Sequence, residues 1–215
     1  MNDQQVKDLI KNTFEKIESA KTIREIEEIL TNPQIYKSRM DENTYPKLQF
    51  KIDKSKIRDL IGMKLLNQNN SISNDVSGTP MDTLTKLLYA VSWKQGDLKK
   101  LKHIVDGITS VDSAKRKTGL VFYHFGRHLT QGSNEPIIDQ HVLRAFGIRQ
   151  AIRESNRIDS IRRQSSITDK HEGLIKDYKV WLSELKPELK MNGDYMHHVD
   201  KVLFATGKTV KSKKP

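Results

Sequence analysis

Apolar residues recur every three or four positions along most of the chain, and no segment alternates apolar with polar over the length of a strand. That pattern confines the fold to packed helices, because each apolar stripe must be buried against another helix. Val6, Leu9, Ile10, Phe14 and Ile17 set the period over residues 3–18. Residues 22–30 repeat it with Ile23, Ile26 and Leu30, and Thr22 with Glu25 makes a capping box. "TNPQIYKSRMDENTYPKLQF" has two prolines and little periodicity, so it reads as a linking loop. Residues 55–68 return to helical spacing. "NQNNSISNDVSGTP" is a polar loop, and Pro80 suits the first turn of a helix through "MDTLTKLLYAVSW".

The second half continues in the same way. Asp97 caps the helix of "DLKKLKHIVDGI", and Gly107 lies near its end. "DSAKRKTGLVFYHFGRHL" is the most apolar helix and is expected at the centre. "QHVLRAFG", "IRQAIRESNRIDSIRRQ", "HEGLIKDYKVWLSELKPEL" and "HHVDKVLFATGK" complete eight to ten helices. The expected fold is all-α and compact. Its N-terminal helices (1–31) pack with the C-terminal ones (151–207), since the middle alone has too few long apolar faces to exclude them. A central block spans 50–150, and 208–215 is a basic disordered tail.

Charge and cysteine count narrow the function. The net charge of +11 suggests a polyanionic partner, either nucleic acid or an anionic membrane surface. Residues 1–30 hold seven acids and five bases, so the excess of base lies in the remainder. It clusters in "WKQGDLKKLKH", "SAKRKTG", "IRQAIRESNRIDSIRRQ" and the tail. The first two clusters flank one short hairpin, a placement that suits a phosphate footprint. With no cysteine, disulfides, thiolate catalysis and cysteine-held zinc or iron–sulfur clusters are excluded. No window is apolar enough to span a bilayer, and the first residues lack a secretory layout. A cytoplasmic protein without a membrane partner is expected.

"SNEPIIDQHVLRAFG", residues 133–147, carries the chemistry question. Asp139 stands between a short apolar run and a helix. An aspartate there caps the free N–H groups. It can equally be a catalytic carboxylate held at a helix N-terminus, and one residue can do both.

Three stretches from about 55 to 150 resemble the helix-hairpin-helix DNA glycosylase superfamily, the endonuclease III and MutY-like group. "DLIGMKLLNQNNS" resembles its early helix ending in a glutamine-bearing loop, at Gln68. "LKHIVDGITSVDSAKRKTGLVF" stands where the family has its hairpin and a lysine-bearing helix. "EPIIDQHVLRAF" resembles its V-D-T-H-V-x-R segment at Ile138, Asp139, His141, Val142 and Arg144. The resemblance covers less than half the chain. The family hairpin reads L-P-G-V-G-x-x-x-A. Gly107 is its single glycine counterpart here, and the spacing from Lys117 to Asp139 is a few residues longer.

The resemblance implies base excision from duplex DNA. Asp139 would stabilise an oxocarbenium-like transition state, and Lys117 (or its rival Lys115) would attack C1′. Gln68 would fill the gap left by a flipped base, and Tyr123, Phe122, Phe125 or Trp93 would stack on that base. Lys99, Lys100, Lys102, Lys115 and Arg116 would meet phosphates, and Arg144 a phosphate or Asp139. No cofactor is expected. His124 and His128 have ligand spacing but no third ligand, so no metal is expected either. A non-catalytic nucleic-acid-binding module is the alternative, and a helical interaction protein is a third reading. Oligomeric state is open.

Overall fold

A computed structural model of the chain describes residues 1–45, 47, 48, 50–73, 81–109, 118–132 and 135–212. The described residues are helical, with no strand; the one β feature is an isolated antiparallel bridge between Leu66 and Ile72. The helices are α1 (Asp3–Ser19), α2 (Ile23–Ile29), α3 (Pro33–Tyr36), α4 (Lys54–Gly62), α5 (Thr83–Lys94), α6 (Leu98–Thr109) and α7 (Leu120–Gln131). They continue as α8 (Gln140–Gln150), α9 (Ser155–Arg163), α10 (Glu172–Glu184), α11 (Pro187–Lys190) and α12 (Tyr195–Thr209). They form two units. One joins Met1–Gln49 to Ser133–Pro215, and the other is Phe50–Gly132.

In the terminal unit, α8 is the central helix. Val142, Leu143, Arg144, Ala145, Phe146, Gly147 and Ile148 are all buried, as expected of a helix covered on every side. α1, α9, α10 and α12 pack against it, and α12 also meets α1, α2 and α3. A Cβ on Gly207 would lie 1.8 Å from the His141 carbonyl oxygen, so α12 crosses the first turn of α8 only with glycine there. Arg162 ties the two chain ends together. Its guanidinium donates to the Met1 carbonyl and to Asp3, and its Nε donates to the Val210 carbonyl at 3.0 Å.

In the Phe50–Gly132 unit, Ile57, Leu66, Val105 and Ile108 form the core. α6 and α7 approach closely through two glycines. A Cβ on Gly107 would stand 2.0 Å from the Tyr123 carbonyl oxygen, and one on Gly126 would stand 2.0 Å from that of Ile104. α5 touches α6 and contributes no buried residue.

Several expectations are corrected. The helix over 55–68 stops at Gly62. Lys64 takes a positive φ of 60°, and the chain folds back so that Leu66 enters the core. The 31–50 loop contains α3, which Asn32 caps ahead of Pro33 and which buries Ile35 completely. α5 starts at Thr83 behind the cap Asp82, and Pro80 lies outside the described residues. Gly107 is inside α6, at a helix crossing, not in a hairpin turn. The central helix of the terminal unit is α8, and the 50–150 block is divided because α8 packs with the terminal helices. The tail is docked in part: α12 runs to Thr209, Val210 is fully buried, and the Ser212 N–H donates to Arg162. Residues 213–215 lie outside the described residues.

Candidate functional site

Asp139 has extended backbone, φ −124° and ψ 152°, and its Oδ1 accepts the His141 N–H at 2.6 Å. It is the N-cap of α8. Oδ2 makes no hydrogen bond among the described residues, so one carboxylate oxygen is committed to the cap and the other is not.

The approach to Asp139 is pinned from two sides. Glu135 accepts from Lys179 on α10. The Ile137 N–H donates to Asp200 on α12 at 3.2 Å, and the Tyr178 hydroxyl donates to the same carboxylate. Burial pushes the Asp200 carboxyl up to about 7, and nearby Asp139 adds to that; the hydrogen bonds from Tyr178 and Ile137 pull the other way. The Tyr178 hydroxyl is also pushed up, chiefly by burial, so it stays a neutral donor.

Behind the cap stands Arg144, 2% exposed. It donates to the Gly207 carbonyl at 3.2 Å, the Gln164 carbonyl at 2.5 Å and His141 Nδ1 at 2.6 Å. Burial, above all, draws the His141 pKa down; Asp139 opposes the shift, and Arg144 and Lys211 reinforce it. A neutral imidazole is the form that can accept from Arg144. Arg144, expected to meet a phosphate or Asp139, is turned into the unit in this structure. Three of its donor bonds end on groups inside the unit, and its Nε is enclosed without a partner. It organises α8, α12 and the segment after α9.

The remaining expected residues divide clearly. Tyr123 is 3% exposed in the Phe50–Gly132 unit, so it is a packing residue and cannot stack on a flipped base from that position. Gln68 is exposed on a tight turn that Asn67 closes by accepting the N–H groups of Asn69 and Ser71. Asn70 anchors that turn to α6 through buried Asp106 at 2.8 Å. Lys102 pairs with the same carboxylate at 2.9 Å, and Lys100 pairs with Asp97 at 2.5 Å. Lys99 is exposed and forms no ion pair among the described residues. Trp93 is 65% exposed, whereas Phe122 and Phe125 are half-buried. Lys115, Arg116 and Lys117 lie outside the described residues, and α7 begins only at Leu120.

Sequence reasoning missed Asp200 and Asp106. The signal for Asp200 was a lone acid on the apolar face of "HHVDKVLFATG", beside Val199, Val202 and Leu203. Among the described residues, no group of three or more His, Asp or Glu could hold a metal ion. An open cleft of about 750 Å³ lies elsewhere in the terminal unit. It sets Asp3 and Asp159 beside Arg163 and His171, a mixed lining that would repel phosphate as much as attract it. Comparison with protein families, curated proteins and solved structures finds no match for this chain.

Proposed function

We propose that the protein binds duplex DNA through its Phe50–Gly132 unit and removes damaged bases, with Asp139 as the charged group of the reaction. One observation carries the binding. In residues 50–132, fourteen Lys and Arg against seven Asp and no Glu leave a charge of +7, from the +11 of the whole chain. Lys51, Arg58, Lys64, Lys86 and Lys99 are exposed there and form no ion pair among the described residues. Cations left unneutralised by their own protein are the ones that displace counterions from a phosphate backbone.

The chemical half rests on Oδ2 of Asp139, which makes no hydrogen bond among the described residues. A carboxylate fixed by one oxygen and not hydrogen-bonded at the other can face the positive charge that develops as a glycosidic bond breaks. Burial of Tyr123 and Arg144 favours a second reading, in which the protein binds DNA without chemistry.

Fluorescence anisotropy on a duplex gives the first test. Affinity should fall steeply with salt, and Lys99→Ala should shallow the slope by about one counterion. Salt-independent affinity, or no binding at low salt, would remove the DNA reading. A panel of oxidised, alkylated and deaminated duplexes then decides between excision and binding alone. In Asp139→Asn the cap survives and base release should drop at least about 100-fold. If Lys117 is the nucleophile, borohydride should trap the wild type on DNA but not Lys117→Gln.

A further inference from the structure

α5 carries an apolar ridge that the described residues of its own unit leave exposed. Leu84, Leu87, Leu88 and Val91 follow the i, i+3, i+4, i+7 spacing of one helix face. They are 65%, 61%, 60% and 54% exposed. The helix touches α6, and its half-buried residues, Tyr89 and Ser92, lie on a different side from the ridge. Four large aliphatic residues in register on a solvent-facing helix are the pattern of an interaction surface, not of scattered apolar exposure.

We propose that the occupant of this ridge is the α5 ridge of a second copy of the chain, in an antiparallel pair. The ridge is self-complementary. Its four residues are symmetric about a point between Leu87 and Leu88, so a two-fold axis there sets Leu84 on the partner's Val91 and Leu87 on the partner's Leu88. The same operation brings the acid at one end of α5 to the base at the other. Asp82 caps the N-terminus, Lys94 stands in the last turn, and both are exposed. An antiparallel pair sets Asp82 beside the partner's Lys94 and opposes the helix dipoles. A parallel pair would set Lys94 against Lys94.

The area argues for a weak, reversible contact. At these exposures each side chain offers about 100 Å², so with the flanking stems the pair buries roughly 1,000 Å², the low end for specific interfaces. The dimer should dissociate at about 10–100 µM. Both copies bring a basic unit to the contact, so salt should strengthen the association by screening that repulsion. DNA affinity should change with salt in the opposite direction.

Sedimentation of the full chain from about 5 to about 500 µM, at low and high salt, reads the association directly. The expected result is a monomer–dimer equilibrium that tightens with salt. Leu87→Glu combined with Leu88→Glu should abolish it at unchanged helical content, since both positions are solvent-facing in the monomer. The chain has no cysteine, so engineered thiols report the geometry cleanly. Leu88→Cys should link to itself near the axis. Leu84→Cys and Val91→Cys should link to each other in a mixture and not to themselves, the two sites on one helix being about 10 Å apart. A chain that stays monomeric throughout, a dimer indifferent to the two glutamates, or a Leu84→Cys self-link overturns the proposal.

Discussion

Asp200→Asn should remove the pH dependence of one part of this protein's stability. The wild-type carboxyl is enclosed between Tyr178 and the Ile137 N–H, and burial raises it from an ordinary 3.8 to about 7. Between those values the unfolded chain is ionised and the folded chain keeps its proton. The folded state therefore binds more protons, and its stability falls as pH rises. Three pH units at about 1.4 kcal/mol each set an upper limit of about 4 kcal/mol, lost between about pH 4 and 7. Asparagine cannot ionise, but its amide NH2 cannot accept, so one of the two donors to Asp200, the Tyr178 hydroxyl or the Ile137 N–H, loses its acceptor oxygen at a cost of about 1–3 kcal/mol. The variant should be the less stable protein at pH 5 and the more stable at pH 8. Urea unfolding followed by helical circular dichroism measures both curves. His141, His197 and His198 are all shifted down, chiefly by burial, so their contributions gain with rising pH. They are common to both proteins and cancel in the difference. Parallel curves for wild type and variant from pH 4.5 to 8.5 would refute the assignment of a buried, proton-holding Asp200.

Two other outcomes follow from packing. Deleting residues 209–215 removes fully buried Val210 and the carbonyl that accepts from Arg162, so it should cost about 3 kcal/mol and lower Tm by about 6–12 °C; an unchanged melting curve would show the tail end to be dispensable. Gly126→Ala drives a methyl toward the Ile104 carbonyl, 2.0 Å away, and should destabilise by about 3 kcal/mol. Gly173→Ala on α10, which meets nothing within 4 Å, should be neutral or stabilise by up to about 1 kcal/mol, and equal effects at the two sites would contradict the close helix crossing.

Features set by neighbouring residues were legible in the sequence. Thr22 accepts the Glu25 N–H as a cap should, although the Glu25 carboxylate reaches back to Lys21, one residue before the cap. Asp139 as a cap, and the periodicity of α1, follow from positions a few residues apart. What failed to show depends on distant partners. Arg144 lies in a run that looks like a DNA-contacting segment, but two of its three acceptors are 20 and 63 residues away. α4 has apolar spacing past its real end, and the fold-back is driven by the place Leu66 finds beside Val105 and Ile108. Tyr123 is aromatic and stands in a plausible row, yet the glycines at 107 and 126 bring α6 close enough to bury it. The bare ridge of α5 is the converse case, because periodicity says that a face is apolar and not whether the protein covers it.

The route of the chain through its two units also dictates an order of assembly during synthesis. Met1–Gln49 emerges before Phe50–Gly132, but α1, α2 and α3 pack on α8 and α12, which are made much later. Phe50–Gly132 has all its own partners by the time its last residue is out. At about 5–20 residues per second, the three leading helices wait roughly 10–30 s for α12 to complete their packing. During that interval Val6, Ile10, Phe14 and Ile26, each 2% exposed or less in the finished fold, have no lasting cover. A nascent chain stalled before Tyr195 should therefore hold a folded middle and an adhesive, chaperone-dependent beginning.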